Sequence, residues 1–164
     1  LNTVQENLQE QLLETGQKLT VAVGPGLVVR ADRVMLVRIL TNLVSNASDA
    51  SPRETAIELD AMLRMRPGTE EAHVRFRVKD QGAGISPENL RRVFAPYFST
   101  KSYGDGKRGF GLGLSICQRL AFLHDGAISI ESEIGVGTTV TLDLPKDGPT
   151  LHSAAAQIPE TSSR

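Results

Sequence analysis

Residues 32–50 read DRVMLVRILTNLVSNASDA, and apolar side chains recur in this segment every three or four positions from Val34 to Ala47. Such spacing predicts an α-helix with one apolar face. Asp32 can cap the amino end of this helix through its carboxylate, and Ser51-Pro52 stops it. We therefore interpret the segment as a helix that begins after Asp32 and ends at the serine-proline pair.

Asn42 and Asn46 lie four residues apart in this segment, so they project from the same face of the predicted helix, among mostly apolar neighbours. Amide groups on a packed face need hydrogen-bonding partners. Two explanations fit this pair. Either the amides hold neighbouring backbone groups, or their oxygens contribute to a site for a hydrated magnesium ion.

On either side of this helix the hydrophobic pattern changes repeatedly between the helical and the strand period. Further helices are predicted at residues 1–15, 86–94 and 112–123. Strands are predicted at residues 19–23, 56–63, 73–78, 127–133 and 138–144, and the last four pair as two hairpins. This order predicts a two-layer α/β sandwich, with a mixed, mostly antiparallel sheet of about five strands and about three helices on one face.

The composition is that of an ordinary globular protein, with 40% hydrophobic and 23% charged residues among 164. A formal net charge of -1 provides no broad basic field, which disfavours nucleic acid and anionic lipid as partners. No segment approaches the ~20 apolar residues of a membrane-spanning helix. Cys117 is the single cysteine, so an internal disulfide is excluded, and no Cys/His cluster has the spacing of zinc ligands.

Glycine-rich breaks interrupt the predicted elements at Gly82/Gly84, at Gly109/Gly111/Gly113 and at Gly135/Gly137. The second break opens a predicted helix, whose free N–H groups and positive dipole end suit a phosphate. Lys101, Lys107 and Arg108 lie just upstream and add positive charge. A structural turn is the alternative explanation. The dinucleotide fingerprint needs a preceding strand, and a P-loop needs Ser or Thr where Arg108 stands, so neither motif fits.

Five short segments together resemble the motifs of sensor histidine kinases. Residues 42–50 resemble the N box, 80–85 the first glycine box, 94–101 the F box, 109–116 the second glycine box and 135–139 the closing Gly-x-Gly-Thr element. They occur in the family's order. The variants Asp49-Ala50 and Tyr97-Phe98-Ser99-Thr100-Lys101 look similar to those of the nitrogen-regulation and dicarboxylate-sensing kinases.

The resemblance implies the histidine-kinase/gyrase type of α/β sandwich, and a catalytic domain that transfers the γ-phosphoryl group of Mg-ATP to a histidine. Asp80 then accepts a hydrogen bond from the adenine amino group, Thr138 reaches adenine directly or through water, and Asn46 binds magnesium. The alternatives are that Asp80 caps the turn that ends its strand and that Thr138 is an ordinary strand threonine. Asn42 stands where related ATPases have a glutamate base, and an amide is a poor base.

Asn42, Asn46 and Lys101 are the predicted catalytic residues. The predicted ATP-binding residues are Asn46, Asp49, Asp80, Gly82, Gly84, Ile85, Phe98, Lys101, Arg108, Gly109, Gly111, Leu112, Gly113, Leu114 and Thr138, with Asn46 as the metal ligand.

The resemblance also assigns roles to the surroundings of this site. Residues 99–110 are expected to form a lid over the triphosphate, in which Lys101 and Arg108 neutralise charge. Ile85, Leu112 and Leu114 are candidates for an apolar wall around the base, with plain core packing as the alternative.

None of the three histidines, His73, His124 and His152, stands in the helical context of a phosphoacceptor. The acceptor is therefore expected on a dimerisation domain outside this chain, with a response regulator as the next partner and no nucleic acid. Residues 1–16 are expected to be a linker or N-terminal helix, 17–145 the catalytic domain and 146–164 an unstructured tail. We expect a monomeric, cytoplasmic fragment of a homodimeric parent.

Two functions remain as alternatives on the sequence. One is a nucleotide-binding regulatory module without phosphotransfer. The other is an ATPase domain of the gyrase or chaperone type, which the amide at Asn42 disfavours.

Overall fold

A computed structural model describes residues 1–66, 68–99 and 111–149 of the chain. The helices in these ranges are α1 (Asn2–Thr15), α2 (Arg33–Ala50), α3 (Pro87–Leu90) and α4 (Gly113–Leu123). The strands are β1 (Lys18–Val23), β2 (Ala56–Met65), β3 (Ala72–Lys79), β4 (Ala127–Glu133) and β5 (Gly137–Pro145). The predicted order of elements is confirmed, and each predicted strand is present.

The five strands form one sheet in the order β1-β2-β3-β5-β4. The predicted hairpins β2-β3 and β4-β5 are both antiparallel, and β3 also pairs with β5 in antiparallel register. Only the edge strand β1 runs parallel to its neighbour β2. The central position of β3 and β5 brings their ends together, Lys79 opposite Thr139, at one edge of the sandwich.

Alternate residues of the central strands face opposite sides of the sheet. The helix-facing side chains of β2, β3 and β5 are apolar and buried: Ile57, Leu59, Ala61, Val74, Phe76, Val78, Val140, Leu142 and Leu144. The other face carries cross-strand ion pairs, of which Arg75–Asp143 at 2.8 Å and Arg77–Asp60 at 3.1 Å are directly opposed pairs. Period-two alternation of this kind identifies a sheet with one packed and one solvated face. The predicted two-layer sandwich is confirmed.

The two long central helices begin and pack as the pattern predicts. The Asp32 carboxylate accepts the Met35 N–H at 2.9 Å, which confirms the cap of α2. Helices α2 and α4 run antiparallel, since the start of α2 contacts the end of α4 through Asp32 N–H donating to His124 Nε2 at 3.1 Å. Cys117 lies further up α4, with its thiol 3.8 Å from the Ile39 carbonyl oxygen.

Helix α1 packs into the same core as the rest of the sandwich. Val4, Leu8 and Leu12 are buried in the cluster that also holds the apolar face of α2. Gly16 ends α1 in the left-handed conformation, with φ 67°. None of the helices in the described ranges combines the length and apolarity that a membrane-spanning helix requires.

The prediction for α3 was wrong at its carboxyl end. The helix begins as predicted, with the Ser86 hydroxyl accepting the Asn89 N–H, but it ends at Leu90 instead of continuing to Phe94. Beyond it the backbone bonds close three-residue turns, from Arg92 N–H to Asn89 O and from Ala95 N–H to Arg92 O. These tighter bonds take up the backbone N–H groups that an α-helix would pair with carbonyl groups four residues earlier, so the chain turns instead of continuing as an α-helix.

Candidate functional site

Asp80 lies at the carboxyl end of β3, where a buried strand opens into the first glycine-rich break. The residue is 6% exposed. One carboxylate oxygen, Oδ1, accepts two backbone hydrogen bonds, from Gly82 N–H at 2.8 Å and from Thr138 N–H at 3.1 Å. The Asp80 N–H in turn donates to Thr138 O at 2.9 Å. The orientation of the carboxylate is therefore set by main-chain groups from two segments.

Burial raises the pKa of the Asp80 carboxyl, and the hydrogen bonds from Gly82 and Thr138 partly oppose this effect. None of the ion pairs within the described ranges involves Asp80. A buried acceptor that is held by backbone donors and not by a cation is suited to recognising a neutral donor group of a ligand.

The first glycine-rich break packs against two other parts of the molecule, and the glycines make this possible. A Cβ on Gly82 would lie 2.6 Å from the carbonyl oxygen of Ala50, at the end of α2. Gly84 has φ 72°, and a Cβ there would overlap the carbonyl oxygen of Glu133, the last residue of β4 before the β4-β5 turn. The break therefore lies between the end of α2 and the β4-β5 turn, with Asp80 at its start.

Asn46 lies one turn before the end of α2 and faces the amino end of α4. A Cβ built on Gly113, the first residue of α4, would be 3.5 Å from Asn46 Nδ2 and 4.0 Å from its Oδ1. No described side chain caps this helix end at Leu112. The α4 dipole and its first N–H groups are thus next to the Asn46 amide, an arrangement that suits an anion and its counter-ion.

Asn42 lies one turn deeper along α2 than Asn46, beside Cys117 of α4. Burial raises the pKa of the Cys117 thiol from 9.0 to about 11, while a hydrogen bond from the Asn42 side chain and the charge of Arg38 oppose the rise. The two asparagines therefore share one helix face, as predicted, but only Asn46 lies at the amino end of α4.

The F box and the second glycine-rich break are in contact through Gly111. This residue has φ 65°, and a Cβ there would lie 2.6 Å from the Phe98 carbonyl oxygen. Tyr97 also has a positive φ of 63°, and the Phe98 ring lies 5.0 Å from the Arg92 guanidinium. The chain on either side of residues 100–110 thus meets at one place. Lys101, Arg108 and Gly109 lie outside the described residues.

The remaining predicted site residues differ in their burial and in the elements that they contact. Ile85, Leu112 and Leu114 are partly exposed, and Leu114 also packs against the hydrophobic core. Asp49 lies at the contact with α1, where its Oδ1 is 3.4 Å from Gln11 Nε2. The structure brings Asn46, Asp80 and Thr138 to one end of the sandwich.

Ser132 is a residue of this region that sequence reasoning missed. Its Oγ accepts the Ile85 N–H at 2.8 Å and lies 2.9 Å from Thr138 Oγ1, directly across the β4-β5 pair. A signal was available: Ile128, Ile130 and Ser132 alternate on the helix-facing side of β4, so a polar side chain occupies an otherwise apolar position.

The amino-acid sequence is similar to those of characterised bacterial kinases. Residues 31–148 match the family described as histidine kinase-, DNA gyrase B-, and HSP90-like ATPase. The sensor-like histidine kinase SenX3 of Mycobacterium tuberculosis is 42% identical over 118 residues, covering 71% of this chain and 27% of SenX3. The histidine protein kinase DivJ of Caulobacter vibrioides is 40% identical over 139 residues, covering 84% of this chain and 22% of DivJ. The chain spans about a quarter of the length of these curated relatives.

The fold is likewise similar to solved structures. The catalytic domain of histidine kinase ThkA, in a nucleotide-free form, superposes with a TM-score of 0.73 at 28% identity, covering 89% of this chain and 90% of that domain. Full-length ShkA in complex with AMPPNP superposes with a TM-score of 0.74 at 30% identity, covering 90% of this chain and 29% of ShkA. The family match extends over the segments that carry Asn46, Asp80 and Thr138.

Proposed function

We propose, because the chain belongs to the histidine kinase-, DNA gyrase B-, and HSP90-like ATPase family, that it binds Mg-ATP as the catalytic domain of a two-component sensor histidine kinase. The γ-phosphoryl group would pass to a histidine on a separate dimerisation domain. The names of the relatives with 40% and 42% identity support the histidine-kinase branch of the family. The single observation that carries the proposal is the buried Asp80 carboxylate, held by two backbone N–H groups.

Asp80 is proposed to recognise the adenine base. Its Oδ1 already accepts two N–H groups, so the second oxygen, Oδ2, would accept the adenine amino group. Guanine carries a carbonyl oxygen at the corresponding ring position, and two acceptors facing each other in a buried site are unfavourable. The Thr138 hydroxyl, next to this carboxylate, would reach the base directly or through water.

The amino end of α4 and the Asn46 amide are proposed to hold the phosphates and magnesium. No three His, Cys, Asp or Glu side chains of the described residues cluster in a way that could hold a metal ion. Magnesium commonly has one or two protein ligands and takes the others from phosphates and water, which fits the single amide oxygen of Asn46. When bound, the ion would supply positive charge that neutralises the phosphate oxygens.

Transfer to histidine is favoured over hydrolysis by the groups next to Asn42. Hydrolysis needs a base that accepts a proton from water. Asn42 is an amide, and its neighbour Cys117 has a pKa raised to about 11, so neither group accepts a proton at neutral pH. In the proposed transfer, an imidazole nitrogen forms a bond to the γ-phosphorus while the bond between this phosphorus and the β-γ bridging oxygen breaks. ADP leaves with the electron pair of the broken bond. Lys101 and Arg108 are proposed to neutralise the charge that develops.

The finer expectations are also proposals. They are that this fragment is cytoplasmic and monomeric, that its parent is a homodimer, that a response regulator receives the phosphoryl group, and that the nitrogen-regulation and dicarboxylate-sensing kinases are the subgroup. The domain boundaries at residues 16, 17, 145 and 146 belong here too, although the burial of Val4 and Leu8 in the common core supports including α1 in the catalytic domain.

Calorimetric titration of the chain with ATP, with and without magnesium, tests the proposal. We expect magnesium-dependent binding that Asp80→Asn weakens by about tenfold or more, because the amide NH2 would face the adenine amino group and leave buried donors unpaired. The matched control is Asp60→Asn, which removes one charge from the opposite sheet face. Absence of ATP and ADP binding by the folded chain would refute the proposal.

A second assay separates transfer from hydrolysis. The chain is mixed with the dimerisation domain of its parent and labelled ATP. Label on histidine supports the kinase assignment, whereas multiple-turnover phosphate release without labelled histidine would favour the gyrase- or chaperone-type ATPase.

A further inference from the structure

Ser132 and Thr138 form a cross-strand pair between β4 and β5, with both side chains on the helix-facing side of the sheet. Ser132 Oγ lies 2.9 Å from Thr138 Oγ1 and 2.9 Å from the Gly137 carbonyl oxygen. It also accepts the Ile85 N–H at 2.8 Å. One serine hydroxyl thus contacts the first glycine-rich break, the start of β5 and the threonine hydroxyl.

The chemistry of these partners decides the direction of each hydrogen bond. The Gly137 carbonyl can only accept, so the single Ser132 hydroxyl hydrogen goes to it. Ser132 Oγ then has two lone pairs, which accept the Ile85 N–H and the Thr138 hydroxyl hydrogen. This assignment satisfies all three contacts, and it leaves Thr138 Oγ1 with its lone pairs free to accept.

A second set of contacts places Thr138 next to the proposed base site. Its N–H donates to Asp80 Oδ1 at 3.1 Å, and its carbonyl accepts the Asp80 N–H at 2.9 Å. The threonine is 7% exposed, so it is buried beside the Asp80 carboxylate. The direction in which this hydroxyl points therefore matters to a ligand that contacts Asp80.

We propose that Ser132 is a positioning residue that holds the Thr138 hydroxyl as a hydrogen-bond acceptor and so strengthens the preference for adenine over 6-oxopurines. The inference rests on the proposed function. Adenine presents an amino group to this region, whereas guanine and hypoxanthine present a carbonyl oxygen. The proposal places both acceptors, Asp80 and Thr138, against the substituent at C6 and not against N1, which is an acceptor in adenine and an N–H donor in 6-oxopurines. At C6 the amino group is then favoured and the carbonyl oxygen is disfavoured. Without Ser132, the Thr138 hydroxyl can rotate and donate to that carbonyl.

The test measures the affinity of the chain for ADP and for inosine diphosphate by calorimetry and takes their ratio. A loss of affinity that is equal for both nucleotides, such as one caused by a loosened glycine-rich break, does not change this ratio. We expect Ser132→Ala and the nearly isosteric Ser132→Cys to lower the ADP preference by about tenfold, the effect of one hydrogen bond. Ser132→Thr keeps the hydroxyl and should retain a ratio within about threefold of the wild type.

Thr138→Val provides the coupling control, because it removes the hydroxyl that Ser132 is proposed to orient. In the Thr138→Val background, Ser132→Ala should leave the ADP preference unchanged. A wild-type ratio in Ser132→Ala and Ser132→Cys, or an equal loss in Ser132→Thr, would overturn the inference while nucleotide binding stands. A wild-type chain that binds both diphosphates equally also overturns it. If the wild-type chain binds neither ADP nor inosine diphosphate, the proposed function itself is refuted.

Discussion

Asp80 and Thr138 are joined by two hydrogen bonds: Asp80 N–H donates to Thr138 O at 2.9 Å, and Thr138 N–H donates to Asp80 Oδ1 at 3.1 Å. The pair continues the β3-β5 ladder by one residue beyond Lys79 and Thr139. The hydrogen bonds at this end of the sheet therefore orient the carboxylate, and its direction does not depend on a flexible loop. A preorganised acceptor of this kind binds its ligand group without an ordering cost.

The first prediction concerns the effect of the Asp80 charge on stability. Burial raises the pKa of Asp80 above its usual 3.8, so the folded chain holds the proton more tightly than the unfolded chain. Between 3.8 and the raised pKa the folded state carries the extra proton, so stability falls as pH rises through this window. The penalty persists at neutral pH. Asp80→Asn removes it, and an amide oxygen can still accept both N–H groups.

We therefore expect Asp80→Asn to be at least as stable as the wild type at pH 7, with the difference shrinking toward pH 3.8. Urea unfolding of both proteins across this pH range measures it, and the difference between them isolates Asp80 from the other carboxylates. A variant that is clearly less stable at pH 7 would mean that the charge stabilises the fold.

The second prediction compares two glycines that share a left-handed backbone but differ in their surroundings. Gly84 has φ 72° and its Cβ position overlaps the Glu133 carbonyl oxygen, whereas Gly135 has φ 78° and nothing within 4 Å. Gly135→Ala should cost only the left-handed strain, about 1–2 kcal/mol. Gly84→Ala should cost distinctly more and weaken ATP binding, because the first glycine-rich break must move. Equal losses in thermal unfolding would contradict this account of Gly84.

The third prediction separates the stability of α4 from its proposed role. Gly113→Ala adds a methyl group at the first residue of the helix, which should leave stability unchanged or raise it by up to about 1 kcal/mol. The same methyl group would lie 3.5 Å from Asn46 Nδ2. We expect a several-fold loss of affinity for Mg-ATP and a smaller loss for ADP without magnesium. Unaltered Mg-ATP binding would show that this space is not used by the phosphates or the ion.

The fourth prediction concerns the buried amide that joins the end of α1 to the end of α2. Gln17 is 6% exposed, its Nε2 donates to carbonyl oxygens of Ser48 and Pro52 at 3.0 Å, and its Oε1 accepts the Ser48 hydroxyl. Gln17→Leu should lower the free energy of unfolding by about 2–3 kcal/mol, since buried acceptors lose their donors.

The matched control for this variant is Gln9→Leu, on the exposed side of α1, which should change stability by less than about 0.5 kcal/mol. Urea unfolding at a single pH compares the two. If both variants lose the same amount, the effect comes from the change to leucine and not from the buried network.

Much of the secondary structure was predictable because its causes are local. The period of apolar residues and the Asp32 cap define α2 within its own segment, and alternation defines each strand. The prediction extended α3 beyond Leu90, because helix propensity does not distinguish an α-helix from the three-residue turns that precede Pro96. The motif resemblance also predicted Asn46, Asp80 and Thr138 as site residues, since they occur in recognisable short segments, and their binding roles stay predictions.

Strand order and register, in contrast, were decided only in the tertiary structure. The parallel pairing of β1 with β2 and the neighbouring positions of β3 and β5 join segments far apart in the chain. Sequence alone determined that a sandwich with glycine-rich breaks and an acidic strand end would form. Tertiary structure decided that Thr138 orients the Asp80 carboxylate and that Ser132 contacts the Thr138 hydroxyl. The physical reason is that cross-strand hydrogen bonds depend on long-range register, which local periodicity does not encode.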